Sequence, residues 1–241
     1  MNISQLRKRV YRTLKYKLAR PSPPDLRSPF RGPVVVVGSA PQANLPAGLD
    51  RNYSIVTVNG SQAVTKSWGI ERPDITFMQF NQIRGQNTNA VEVRRVLRGQ
   101  STKALYVFLW PEGEEALKAG LSAFHYQYES LTLVNKYERM ALLDKVCGLK
   151  TAEMDASEKC SNGVNAVLFA FCHGASEVII TGINPRSTGH AYNDENLGRL
   201  HQTMDEMVFS KLLRDGWPLY TADPQVSSAI GIPLWNAGVM R

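Results

Sequence analysis

The spacing of apolar positions changes several times along the 241-residue chain, and each change marks a different element. From residue 2 to 20, Ile3, Leu6, Val10, Leu14 and Leu18 recur at steps of three and four, with bases filling the other positions. That spacing predicts an amphipathic helix. Residues 21–33 (PSPPDLRSPFRGP) contain five prolines, whose fixed φ and missing N–H predict a linker between this helix and a body spanning 34–241. The body opens on Val34-Val35-Val36-Val37, a β-branched run that suits a strand buried on both faces. Further strands are predicted at 53–59 (YSIVTVN), 74–80 (DITFMQF), 104–110 (ALYVFLW), 177–181 (EVIIT) and 217–221. Helical spacing falls between them at about 61–68, 88–98, 137–147, 163–174 and 201–215. Strand–helix alternation predicts an α/β fold, a doubly wound and mainly parallel sheet of Rossmann-like type. Residues 111–160 carry no clean strand pattern and are expected to form a small lid or acceptor-binding insertion.

Charge is distributed unevenly. The formal net charge is +7, yet Arg7, Lys8, Arg9, Arg12, Lys15, Lys17 and Arg20 lie in the first twenty residues with no acid among them. The remaining residues hold 21 bases against 21 acids, so the body is formally neutral, which argues against nucleic acid as a partner. A basic amphipathic helix on a proline-rich tether fits an anionic membrane surface, each base contributing about 1 kcal/mol near the lipid. Packing of that helix on its own domain or on a partner is the competing reading. Cys147, Cys160 and Cys172 are odd in number and lack metal-ligand spacing, as expected of a reducing, cytoplasmic compartment. No apolar run reaches the roughly 18 residues of a membrane span.

Candidate chemistry gathers where strands end and helices begin. Gly38-Ser39-Ala40-Pro41 follows the first strand, where a nucleotide-binding fold needs close backbone approach. It lacks the three-glycine dinucleotide fingerprint and the lysine of a phosphate loop. Asn59 ends the second strand and either reads a base or ribose or closes a turn. Ser161-Asn162-Gly163 precedes an apolar helical run, so Ser161 or Asn162 caps a helix whose free N–H groups also suit a phosphate. Thr181-Gly182-Ile183-Asn184 marks the carboxyl end of a strand, where ligands gather in open α/β sheets. His190 and Tyr192 lie in a polar loop. His201, with Glu206 five residues on, is either a general base or a solvated residue of a helix's first turn. There is no Asp-x-Asp, His-x-x-x-His or clustered cysteine, and so no metal or cofactor is expected.

Taken in order, these segments resemble the sialyltransferases, both the bacterial enzymes and the larger family with sialylmotifs L, S, III and VS. VVVVGSAPQANLPAGLDRNYSIVTVNGSQAV is similar to motif L, and CSNGVNAVLFAFCHGASEVIITGIN to motif S. His190-Ala191-Tyr192 looks like motif III, and His201-x4-Glu206 has the form of motif VS. Asp223-Pro224 after the last strand is also similar to the bacterial enzymes. The resemblance spans about residues 33–230. It implies an inverting, metal-independent glycosyltransferase moving a sialic acid or a Kdo-type ulosonic acid from a CMP-sugar to a glycan or glycolipid acceptor. Gly38, Ser39, Asn59, Ser161, Asn162 and Gly163 would line the CMP site. Tyr192, assisted by His190, would donate to the departing phosphate, and His201 would act as general base.

Departures are specific. Ser39 stands where the bacterial enzymes carry Asn, Asn184 where they carry Asp, and Arg186 where a second phosphate-binding Tyr is expected. The fixed charge of Arg186 can substitute for that hydroxyl. The cysteine that pairs with motif S in secretory enzymes is missing, which fits a cytoplasmic protein held at the inner face of a membrane. Two other classes compete. One is a pterin pyrophosphokinase-like transferase, which would need carboxylate-held Mg²⁺. The other is a non-catalytic nucleotide-binding, membrane-associated module.

Overall fold

A four-valine run has no polar face to offer solvent. Val34–Val37 accordingly forms an interior strand of a seven-stranded sheet, with every side chain fully buried. In the computed structural model, which describes residues 2–192 and 200–237, the strands are β1 (Val34–Val37), β2 (Ser54–Val58), β3 (Ile75–Gln79), β4 (Ser101–Phe108), β5 (Gln127–Val134), β6 (Val178–Thr181) and β7 (Leu219–Thr221). All pairings are parallel, in the order β5-β4-β3-β2-β1-β6-β7. Val34 sits opposite Ser54 on one side and Val178 on the other. The chain winds outward from β1 to β5, then returns to add β6 and β7 at the opposite flank. That reversal creates a topological switch point between β1 and β6.

The helices are α1 (Ile3–Ala19), α2 (Gln62–Ser67), α3 (Phe80–Arg84), α4 (Thr88–Leu97), α5 (Glu114–Ser122), α6 (Lys136–Cys147), α7 (Asn162–Cys172), α8 (Gln202–Arg214) and α9 (Pro224–Ile230). They cover both faces of the sheet. On one face α7 is buried from Gly163 to Phe171, the pattern of a helix enclosed on all sides. Its Phe169 meets Phe77 and Tyr106 edge-on at 5.1 and 5.0 Å, while Phe77 stacks on Phe108 at 5.2 Å. On the other face Val93 and Leu97 of α4 join Leu117 and Leu121 of α5 against Met78, Leu105 and Val107. The expected doubly wound α/β architecture is present.

Residues 111–160 differ from expectation. They contribute α5, β5 and α6, and β5 pairs with β4 in parallel from Gln127 to Val134. The expectation of no strand there is corrected. As an edge strand, β5 is mostly exposed or half-buried along its length, so its mixed composition (QYESLTLV) carries no buried-strand signature. The longest stretch there without an α-helix or strand is 148–161, which holds a 3₁₀ turn at Ala156–Glu158.

The N-terminal helix is α1, with a capping box formed by Asn2 and Gln5. Its polar side meets the body. Arg9 pairs with Glu158, Arg12 donates to the carbonyls of Ala152 and Glu153, and the Tyr16 hydroxyl donates to Asp144 at 3.0 Å. Its apolar side faces outward, Ile3 being 73% and Leu18 82% exposed. The proline-rich segment lies against the body: the Tyr106 hydroxyl donates to Asp25 O at 2.7 Å, and Phe30 packs edge-on to Phe169.

Candidate functional site

The switch point is drawn tight by two glycines. The Gly38 N–H donates to Thr181 O and the Ala40 N–H to Gly182 O, so the β1–β6 ladder continues past both strands. A Cβ on Gly38 would lie 2.2 Å from Gly182 O, which excludes any other residue without movement of the backbone. Gly182 has φ +62°, a left-handed conformation that favours glycine. Beneath this turn lies Asp223, fully buried. Its carboxylate accepts from Gly182 N (2.6 Å), Asn44 N and Nδ2 (both 2.9 Å) and Thr181 Oγ1 (3.1 Å). The carboxylate thus locks the loops after β1, β6 and β7 together.

Directly beyond Gly38, the Ser39 hydroxyl lies 2.9 Å from His190 Nδ1, and Ala191 N donates to Ser39 O. The imidazole of His190 stacks on the Tyr192 ring at 5.2 Å and 7°. Tyr192 is buried, with its ring against Gly60 and its hydroxyl directed at Asn89 Oδ1 (3.4 Å). Gly60 follows Asn59, which adopts φ +51°, a conformation Asn tolerates better than most residues. Asn59 Oδ1 accepts from Gln79 N (3.0 Å) and from Asn162 Nδ2 (3.3 Å). Ser61 joins the strand ends, receiving Val58 N and donating to Val37 O at 2.6 Å.

Asn162 brings in the start of α7. Ser161 is its N-cap, with Oγ accepting from Val164 N. Gly163 faces the Ile183 side chain, which would sit 3.1 Å from a Cβ placed there. The Ser161 N–H donates to Asp205 Oδ1 at 2.8 Å, tying α7 to α8. One turn before Asp205, His201 begins α8, and its Nδ1 lies 3.0 Å from Ala156 O. A carbonyl only accepts, so Nδ1 carries a proton, and in the neutral imidazole Nε2 then holds the lone pair. Contacts therefore run unbroken from Ser39 through His190, Tyr192, Gly60, Asn59, Asn162, Ser161 and Asp205 to His201.

Arg186 is engaged otherwise. Its guanidinium forks onto Glu206 (2.9 and 3.2 Å) and donates to Ala229 O (2.7 Å). The Arg186 hydrogen bonds, with a further one from Gln202, hold the Glu206 carboxyl below the usual carboxylate range. Glu206 is thus drawn toward Arg186, and the buried neighbour Asp205 makes the link to α7. Asn184 caps the same turn, accepting from Arg186 N.

No family model matches the chain, and no curated protein matches it. Solved structures do. The sialyltransferase CstII of Campylobacter jejuni in complex with the substrate analogue CMP-3FNeuAc superposes with a TM-score of 0.54 at 15% identity, over 86% of each chain. CstII with a trisaccharide acceptor and CMP gives 0.55 at 15% identity, over 85% of this chain and 86% of that one. The monofunctional α-2,3-sialyltransferase Cst-I of the same organism gives 0.54 at 14%, over 85% and 80%. The chain has the sialyltransferase fold.

On that fold, four residues join the framework that sequence reasoning did not put among the site residues. Asp223 was visible only as an Asp-Pro after a short strand, and Asp205 only as the residue between His201 and Glu206. Asn89 and Ala156 gave no signal, since one supplies a side-chain amide from a helix start and the other a bare carbonyl.

Proposed function

We propose that the protein is a CMP-sugar-dependent glycosyltransferase, moving a sialic acid or a Kdo-type ulosonic acid onto a glycan or glycolipid with inversion. The observation that carries this reading is the anchored imidazole of His201. Its Nδ1–H on Ala156 O leaves Nε2 as an acceptor, at the head of a helix that Asp205 ties to the start of α7, on a fold shared with CMP-complexed sialyltransferases. In the reaction the acceptor hydroxyl attacks the anomeric carbon and passes its proton to His201 Nε2. The bond from that carbon to the CMP phosphate oxygen breaks, and its electron pair stays with CMP. The amides at the start of α7, and the Tyr192 hydroxyl on turning from Asn89 with its ring steadied by the stacked His190, stabilise the departing phosphate. Gly38, Ser39, Asn59, Asn162 and Gly163 line the CMP site, with Ser161 organising the helix start. The leaving group carries one phosphate, so these donors suffice without a cation. Arg186, three of whose five N–H donors are taken by Glu206 and Ala229 O, adds its remaining donors and its charge to phosphate binding.

Incubation with CMP-Neu5Ac or CMP-Kdo plus candidate oligosaccharides releases CMP in the presence of EDTA. His201→Ala lowers that rate by about 10²–10⁴, the worth of general-base catalysis, while CMP still raises the melting temperature. Unchanged turnover in His201→Ala overturns the base assignment. Absence of turnover with both donors overturns the activity.

The outward apolar row of α1, with its surrounding bases, supports a membrane-surface location on the cytoplasmic side. Among the described residues no helix is long and apolar enough to cross a membrane. Removing residues 2–20 is expected to abolish co-sedimentation with vesicles containing anionic lipid. Sedimentation that survives the deletion rejects this location.

A further inference from the structure

The carbonyl that orients His201 belongs to a segment held in part by the N-terminal helix. Within residues 151–158 the bonds are local. Thr151 Oγ1 donates to Glu158 O (2.7 Å), Glu153 N to Thr151 Oγ1 (3.0 Å) and Met154 N to Glu158 Oε2 (3.2 Å). Asp155 Oδ1 accepts from Ser157 N (2.9 Å) and Oγ (2.6 Å). Such a knot keeps its own shape but does not determine its position relative to α8. The segment packs on α8, Asn165 Nδ2 of α7 donates to Cys160 O at its end (3.2 Å), and three arginines hold it from outside. Arg139 of α6 pairs with Glu153, both side chains nearly inaccessible. Arg12 Nη1 donates to Ala152 O (3.0 Å) and Glu153 O (2.6 Å), and Arg9 pairs with Glu158. Two of these three clamps come from α1. Between the clamped residues Glu153 adopts φ +48°, a left-handed conformation that a glutamate keeps only when held by its surroundings.

α1 is attached in a way that suits positioning better than stabilisation. Its large apolar residues Ile3, Leu6, Val10, Leu14 and Leu18 are all exposed, so docking buries little hydrophobic surface. The attachment consists of Arg9, Arg12, the Tyr16–Asp144 hydrogen bond and Lys15 over the Tyr137 ring at 5.3 Å. Directional bonds of this kind specify where a partner sits while adding little to global stability.

We propose that Arg9 and Arg12 are positioning residues for the general base: docking of α1 places Ala156 O, and Ala156 O sets the tautomer and orientation of His201. This rests on the reading of His201 as base. It makes the arm part of the catalytic apparatus as well as a surface for lipid. Whatever holds α1 against the body then favours turnover, and whatever pulls it away slows the proton transfer.

The test uses the full-length chain and its Arg9→Ala/Arg12→Ala variant. Imidazole ¹⁵N spectra are expected to show His201 as the Nδ1–H tautomer in the parent and as a tautomer mixture in the variant. CMP release from CMP-Neu5Ac, with water as acceptor, is expected to fall about tenfold in kcat at unchanged donor KM, the scale of one lost orienting hydrogen bond. Arg12→Lys, which retains a cationic donor for the two carbonyls, restores most of both signals. Should the double variant melt early, Arg12→Ala gives the same tautomer test with fewer ties removed. An unaltered His201 tautomer in a folded variant overturns the coupling, as does an unaltered kcat in a variant that does shift tautomer. A parent protein that never releases CMP defeats the transferase reading instead, and the ¹⁵N result still decides whether α1 orients His201.

Discussion

A buried carboxylate with four donors aimed at it organises more of this site than any residue with a chemical role. Asp223 satisfies the Gly182 amide, both nitrogens of Asn44 and the Thr181 hydroxyl, and so holds the edge on which Gly38 and Ser39 sit. Asp223→Ala takes this acceptor from the Gly182 amide and both Asn44 nitrogens, while the Thr181 hydroxyl keeps Asn44 O. The expected loss is on the order of 3–5 kcal/mol in urea melts, with Asp223→Asn losing less because one carbonyl acceptor remains. A loss below about 1 kcal/mol in Asp223→Ala would mean the loops hold each other without it. At this scale the chain was partly legible. Gly38, Ser39, Asn59, Ser161, Asn162 and His201 were placed at element ends by pattern and His190 and Tyr192 in a polar loop, and contacts link them in space. Asp223 and Ala156 were not legible as site residues. The roles of one carboxylate and one carbonyl depend on strands and loops brought together from distant parts of the chain, and no local pattern encodes that meeting.

Among the elements, the buried ones announced themselves and the exposed ones did not. α7 and β1 are enclosed, so composition alone reveals them, whereas β5 shows solvent most of its length and reads as irregular chain. α1 was legible as an amphipathic helix, but not its orientation: arginine and tyrosine face the body and the apolar row faces outward. That polar seam has a pH limit. Burial, reinforced by the hydrogen bond to Asp144, raises the Tyr16 hydroxyl from 10.0 to about 12. A folded-state pKa above the unfolded value gives stabilisation that is complete below pH 10 and disappears as pH rises through about 12. The α1 seam is therefore expected to loosen across that window, read as proteolytic cleavage within residues 21–33 of the otherwise folded chain. A Tyr16→Phe variant lacks this pH step. Cleavage that is independent of pH in the parent would assign the seam to Arg9 and Arg12 alone.

For the molecule as a whole, alternation of strands and helices was enough to anticipate the doubly wound sheet, and the order of the motifs was enough to anticipate the sialyltransferase fold. The topology has a further consequence during synthesis. β1 pairs with β6, and Val34 must wait for Val178, so 144 residues separate the two sides of the switch-point seam. β2 to β5 are made in sequence and each finds its neighbour already present, so that flank can grow as it is translated. Until the chain passes Thr181, one edge of Val34–Val37 has no strand beside it, and the glycine pair that closes the switch point does not yet exist. The most apolar strand of the protein is thus, among the interior strands, the one left longest with an open edge. A nascent chain stalled before Val178 would expose the one segment whose sequence most readily pairs with another copy of itself.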